Sequence, residues 1–300
     1  MSAGTPVVPP PPEAARPSRA ARLVGDWLPA LPLILVAGAL LLAPCFVMLR
    51  ASFADATGTG FTLGNWIGVL GSRTARAAIL NSLLLGFSVA TIALLIGAPL
   101  AWVLSRMARG SRSLYLGLLN VAANFSGIGI GFAFVAALGT YGMVTLMVRA
   151  AGLDMVPPAA NSFWGLVLAY EYTNVPMFVL FSLPSMALLR EEWWEAAQCC
   201  SATLLQFWRH VGWPVLRPFL LASWLLIFTW SVGMYGTPVA LMGGSPAAYP
   251  LITIDMSRTL QGSLFGSQRM PVMAVILMIF AMVSLLLFRL FTRRGLKWLT

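Results

Sequence analysis

The chain has 300 residues, of which 59% are hydrophobic and 9% charged, and its formal net charge is +10. Soluble domains carry roughly a quarter charged residues, so a soluble enzyme and a soluble nucleic-acid binder are both excluded. An all-α, polytopic membrane protein is implied, because a spanning helix takes about 20 apolar residues and this length holds six such helices with their loops.

Residues 1–25 are rich in Pro and Ala, carry Arg16, Arg19 and Arg22, and show no hydrophobic periodicity. They are expected to be a disordered segment ahead of a transmembrane domain at 26–300. The apolar run Leu28–Leu49 is too long for a signal-peptide core and lacks a cleavage site, so it is expected to be retained as the first span. Further spans are predicted at Ile79–Leu104, Leu114–Leu138, Ser162–Leu188, Val215–Leu241 and Pro271–Leu290, with a core over 78–292. Loops fall at 50–78, 105–113, 139–161, 189–214 and 242–270. The basic residues sit beside apolar spans, where they set orientation. Arg106, Arg109, Arg112, Arg190, Arg209, Arg217, Arg289, Arg293, Arg294 and Lys297 fall on the side of the N-terminus, and a smaller set that includes Arg50, Arg149 and Arg258 falls opposite. The N- and C-termini, and with them the segment 189–214, are therefore expected to be cytoplasmic.

That segment is a long polar-rich interruption after a series of hydrophobic spans. Glu191-Glu192-Trp193-Trp194-Glu195-Ala196-Ala197 favours a helix with its acids early, where the helix dipole welcomes them. Leu204, Leu205, Phe207 and Trp208 form a second apolar patch, and Pro214 and Pro218 are expected to break the pattern as the fifth span begins. The expectation is a helical hairpin that either docks in a groove of a partner or lies on lipid.

The spacing within it resembles the EAA loop of ABC importer permeases. Glu195-Ala196-Ala197 is followed by Ser201 where that pattern has glycine, and by Ala202, Phe207, Val211 and Pro214 at the expected offsets, so the coupling loop is placed at 189–217. Because serine stands at the glycine position, the bend is expected to form without a left-handed residue. The stretch from Asn81-Ser82 to Pro99-Leu100-Ala101 and the run Ser231–Gly244 are also similar to these permeases, the latter to the spermidine/putrescine subgroup. The resemblance implies the type I permease fold. It also implies a complex of ABC ATPase subunits, a second permease (as a heterodimer) and a periplasmic or lipid-anchored solute-binding protein in a bacterial inner membrane. The solute it points to is a polyamine.

No phosphate-binding loop of the Walker type is present, so ATP and Mg are expected to be used by the partner ATPase and no cofactor is assigned to this chain. His210 is the single histidine, and it has no nucleophile or acid beside it. Cys45 and the adjacent Cys199–Cys200 make no disulfide framework. No catalytic residue and no metal site are predicted.

Within the spans, Glu171 is the one deeply placed acid. An ionisable group there marks a cavity, a pathway or a partner. It lies between Tyr170 and Tyr172, with Asn174 and Pro176 following, and two readings stay open: a substrate pathway in which the two tyrosines stack on a cation, or a structural hydrogen bond. Asn124, Ser126, Gly127, Gly129 and Gly131 make the third span small and polar, which suits close helix packing or a lumen-facing Asn124. Tyr235 is expected near the outer end of the fifth span. The alternative function is a secondary transporter driven by an ion gradient, with Glu171 as proton carrier. The absence of a second intramembrane acid and of an inverted repeat counts against it.

Overall fold

The computed structural model describes residues 31–55, 60–125, 127–152, 159–242, 249–262 and 269–296. The segment 1–25, Ser126 and Lys297 lie outside the described residues. The chain divides into two units, Met1–Val47 and Met48–Thr300. Helix α1, Leu31–Ser52, is apolar on every face. Leu40-Leu41-Leu42 leaves no stripe for water, as in a helix whose solvent is lipid.

In the second unit the chain leaves α1 through a compact turn. Asn65 donates through Nδ2 to the carbonyls of Ser52 (3.4 Å) and Ala54 (2.8 Å). The Phe53 ring stacks on Phe61 and Trp66 at 5.3 and 5.7 Å. Helices α2 (Gly64–Gly71), α3 (Arg73–Arg106), α4 (Arg109–Asn124), α5 (Ile128–Leu138), α6 (Met143–Ala150) and α7 (Phe163–Met186) follow. Then come α8 (Glu191–Cys199), α9 (Leu204–Phe207), a π turn at Trp208–Gly212, α10 (Trp213–Gly233), α11 (Gly236–Met242), α12 (Ile252–Gly262) and α13 (Arg269–Leu296).

Among the described residues, six helical stretches are long and apolar enough to cross a membrane. They are Leu31–Ser52, Arg73–Arg106, Ile128–Ala150, Phe163–Met186, Leu204–Gly233 and Arg269–Arg293. The protein is thus an all-α, multi-pass membrane protein.

Two predicted spans need correction. The third, Leu114–Leu138, is interrupted between α4 and α5, where Gly127 sits at φ 89° and ψ −145°. That region is essentially closed to any residue with a Cβ. The stretch that meets the spanning criterion here begins at Ile128 and takes in part of the expected loop 139–161. The fifth, Val215–Leu241, stops at Gly233 and restarts at Gly236. The two breaks meet: a Cβ on Gly236 would stand 3.1 Å from Ile128 N, and Thr237 Oγ1 donates to Gly127 O at 3.1 Å. Polar side chains thus take up carbonyls that an unbroken helix would have satisfied itself. Two expected loops also carry helices, α2 and α12. Val69, Ile252, Val272, Met273 and Ile276 close a small core between them and α13.

The main core lies where α3 packs on α7 and α10. Leu85, Val89 and Ala93 of α3 meet Leu166, Tyr170 and Phe178 of α7 and Leu216, Leu220 and Ile227 of α10, all buried. The α7 helix runs unbroken through Pro176 and Pro184. Asn81 and Ser82 hold a neighbouring segment in place. Asn81 Nδ2 donates to Pro250 O (3.1 Å), and Ser82 Oγ accepts from Ile252 N (2.9 Å). Together they fix the start of α12.

Candidate functional site

The polar segment after α7 folds as the predicted hairpin, with its expected signature residues divided between outside and inside. Arg190 leads into α8, whose first turn carries Glu191 and Glu192. Glu195, Ala196 and Ser201 are exposed, Ala197, Ala202 and Val211 are half-buried, and Pro214 is exposed. Phe207 is buried. The second apolar patch is thereby split, with Leu204 and Leu205 59% and 78% exposed while Phe207 turns inward.

The bend between α8 and α9 corrects the expectation drawn from serine. Ser201 does take the left-handed conformation, at φ 55°, and among the described residues it alone does so without being glycine. Ser201 N donates to Gln198 O (2.8 Å) and Ala202 N to Ala197 O (3.0 Å). This is the paired closure of a Schellman turn, which satisfies carbonyls that the helix end orphans. The backbone demand outweighs the cost of a Cβ in this region. Two residues on, Thr203 and Gln206 form a capping box: Thr203 Oγ1 accepts from Gln206 N (3.3 Å), and Gln206 Oε1 accepts from Thr203 N (2.8 Å). The T-x-x-Q spacing was available in the sequence as a helix-start signal.

The second leg does not break at Pro214 and Pro218. It runs from Leu204 to Gly233 as one helical stretch. The π turn absorbs the first proline: Trp213 N reaches back to Trp208 O, widening the backbone just where Pro214 lacks an N–H, and Pro214 occupies the first turn of α10. Gly212 is required by close approach, since a Cβ there would stand 2.6 Å from the Trp208 ring.

Aromatic contacts tie the hairpin to α3. Trp208 packs edge-on against Trp102 at 4.8 Å, and Trp194 against Phe207 at 5.2 Å. Arg106 lies over the Trp102 ring at 4.5 Å, donates to Leu189 O at 3.3 Å and stands 3.7 Å from Glu191. With Glu191 mostly exposed, the ion pair adds little, whereas the stacked arginine and the tryptophan pair add shape.

The intramembrane candidates are not gathered into one site. Successive helical residues point about 100° apart, so neighbours in sequence do not face each other. Tyr170 is accordingly buried in the core at 1% exposure, whereas Tyr172 is 45% exposed and packs edge-on against Phe134. No sandwich of tyrosines forms around Glu171. Both Glu171 carboxylate oxygens are buried with no hydrogen-bond partner among the described residues, so the structural hydrogen bond of the second reading is not made among them. Asn174 is fully buried and donates to Tyr170 O of its own helix at 2.8 Å, leaving its Oδ1 unpartnered. Asn124 is exposed and turned back onto Asn120 O (2.8 Å). Tyr235 stands at the break after α10, bonded through its hydroxyl to Ser257 Oγ at 2.9 Å. It lines a cavity of about 480 Å³ together with Gly127, Thr229, Trp230 and Met234.

No family model matches the chain. Curated relatives do. The sulfate transport system permease protein CysT of Salmonella typhimurium is 27% identical over 167 residues, 56% of this chain and 59% of the relative. The spermidine/putrescine transport system permease protein PotB of Haemophilus influenzae is 25% identical over 210 residues, 68% of this chain and 73% of the relative. The molybdenum transport system permease protein ModB of Azotobacter vinelandii is 23% identical over 180 residues, 60% and 78% respectively. The chain thus spans less than two thirds of the length of the sulfate permease. Among solved structures, a bacterial ABC transporter involved in the import of the acidic polysaccharide alginate superimposes with a TM-score of 0.64 at 15% identity, covering 93% of this chain and 99% of that one. The alginate transporter in complex with its pentasaccharide-bound periplasmic protein gives 0.61 at 17% identity, covering 90% and 96%. The fold is that of an ABC transporter chain, and by sequence the chain resembles the permease subunits of ABC importers.

Proposed function

We propose that this chain is the permease subunit of an ATP-driven importer, carrying a small solute from a binding protein into the cytoplasm of a bacterium by alternating access. The observation that carries the reading is the hairpin Arg190–Gly212. Its outer face presents Glu195, Ala196, Ser201 and Leu205 to a partner, and its inner face is anchored by Phe207 and Trp208. The partner is an ATPase subunit, which holds ATP and Mg, and a second permease completes the pathway. Both termini and the hairpin lie on the cytoplasmic side, in line with the Lys/Arg bias. A ligand that shifts a conformational equilibrium must bind its two states unequally. In this proposal the ATPase supplies that difference at the hairpin.

For the solute, the support is Glu171. A carboxylate with two unpartnered oxygens at membrane depth favours a cation, and a polyamine fits that chemistry. The relatives named for sulfate and molybdenum transport show that this scaffold serves more than one solute. In this reading the specificity is shared between Glu171 and the binding protein.

The protein supplies its own probe. Cys199 and Cys200 are exposed at the tip of the hairpin. A short thiol cross-linker should join them to the ATP-binding subunit in membranes, with a yield that changes when ATP is added. Labelling of these cysteines by an impermeant reagent from outside the cell would overturn the docking reading. Uptake that survives ATP depletion but stops with an uncoupler would replace it with the gradient-driven carrier.

A further inference from the structure

We propose that the cleft between α3, α4 and α7 at the hairpin end of the protein is a binding site for one anionic phospholipid. A cavity of about 280 Å³ opens there, lined by Val103, Leu104, Met107, Tyr115, Leu119 and Val179 with almost no polar surface. A cavity of about 150 Å³ already takes up a benzene-sized guest, so this one has room for a stretch of acyl chain. Val103 and Tyr115 are 56% and 47% exposed, so the groove is open to its surroundings.

Its rim carries charge that no acid among the described residues answers. Arg112, Tyr115 and Leu119 follow at helical spacing and share one face of α4, which places Arg112 one turn beyond the apolar lining. Arg112 Nε is buried without a partner, and neither Arg112 nor Arg109 has an acidic partner among the described residues. Arg106 next to them is already engaged by Trp102, Leu189 O and Glu191. Both free arginines stand in the first turn of α4, where the helix end is itself positive and disfavours cations. A cationic rim above an apolar slot matches one molecule, a lipid with an anionic headgroup and an acyl tail. Basic pockets between membrane helices bind such headgroups. The leaflet follows from the orientation proposed above. Lipid retention is measured without transport, so its failure leaves the importer reading untouched.

The test places the full chain with its co-purifying partners in nanodiscs that contain spin-labelled phosphatidylglycerol or phosphatidylcholine. The wild type should immobilise phosphatidylglycerol in preference. Each of Arg109→Gln and Arg112→Gln should lower that preference about fivefold, and Val103→Trp, at an exposed position, should expel the lipid while both arginines remain. Arg149→Gln on α6 should leave the preference unchanged. Equal retention of the two lipids by the wild type, or an equal loss in Arg149→Gln, overturns the site. A photoreactive side chain in place of Tyr115 should label phospholipid. Label on a neighbouring protein would make the groove a protein interface and overturn the proposal.

Discussion

Ser201 is held at φ 55° by two backbone bonds, Ser201 N to Gln198 O and Ala202 N to Ala197 O. A left-handed residue with a Cβ costs about 1–2 kcal/mol, and glycine avoids that cost. Glycine also loses about 0.5–1 kcal/mol more entropy on folding. The difference leaves Ser201→Gly more stable by about 0.5–1 kcal/mol. Hydrogen exchange reads this directly: the amides of Ser201 and Ala202 should exchange about two- to fivefold more slowly, since 1.4 kcal/mol is about a factor of ten. Ser201→Val has the opposite sign. A β-branched residue is a genuine outlier at positive φ, so the turn should open and release its two bonds at about 0.5–1.5 kcal/mol each. Uptake should survive Ser201→Gly and fall in Ser201→Val. Faster exchange in the glycine variant, or a valine variant that matches the wild type, would refute the claim that the turn is strained and that its geometry matters.

Further outcomes rest on other parts of the structure. Trp102→Leu and Trp208→Leu should be non-additive by about 0.5–1.5 kcal/mol in a thermal double-mutant cycle, and either alone should weaken the coupling of ATP hydrolysis to uptake; strict additivity would deny the contact. Gly131→Ala should destabilise by about 1–3 kcal/mol, because its Cβ would collide with Ala240 and stand 2.8 Å from Thr237 O; a melting curve unchanged from wild type would show that the two broken helices are not pressed together. Thr203→Ala should cost about 1 kcal/mol of α9 stability through loss of the capping box, visible as faster exchange of the Gln206 amide. Glu171→Gln keeps the shape and removes the charge, so stability should hold or rise while uptake of a cationic solute falls about tenfold; uptake equal to wild type would remove Glu171 from the pathway.

The spans that sequence reading placed well are those with long uninterrupted apolar runs, Arg73–Arg106, Phe163–Met186 and Arg269–Leu296. Hydropathy averages over a window and cannot see a single backbone angle. Gly127 therefore broke the third span unseen, although Asn124, Gly127 and Gly129 already marked the region as unusual. The break in the fifth span has a non-local cause, since Gly236 lies against the backbone at Gly127 and Ile128. In the hairpin, Glu195-Ala196-Ala197, the aromatic residues and the T-x-x-Q spacing of the capping box are legible in the sequence. The left-handed serine was signalled only by the glycine that the resembled pattern has at this position; serine's own propensity argues against φ 55°, and the pairing around it requires it. The separation of Tyr170 from Tyr172 follows from helix geometry alone and needed no coordinates.

In the importer reading, continuity between the hairpin and the fifth span sets the route by which a push on the hairpin would travel. Had Pro214 and Pro218 broken the chain, a push on α8 would have been absorbed at the membrane surface. Instead one helical stretch runs from Leu204 to Gly233, and the π turn is the place where it can give, since an i→i+5 turn is a local defect in an otherwise regular ladder. Trp208 sits in that turn and grips Trp102 of α3. Displacement of the hairpin must therefore move the near ends of α3 and α10 together or break the tryptophan contact. At the far end, α10 stops at a break whose backbone is held from α12, through Thr253 Oγ1 to Met234 O at 3.1 Å and the Tyr235–Ser257 bond. In the proposed importer, a helix tied at its far end and packed at its middle, through Leu220 and Ile227, against α3 and α7 can pass on a push at the hairpin only by carrying those helices with it. The core that gives the subunit its stability thus lies on the proposed path of coupling, and substitutions that loosen it should uncouple transport before they unfold the protein.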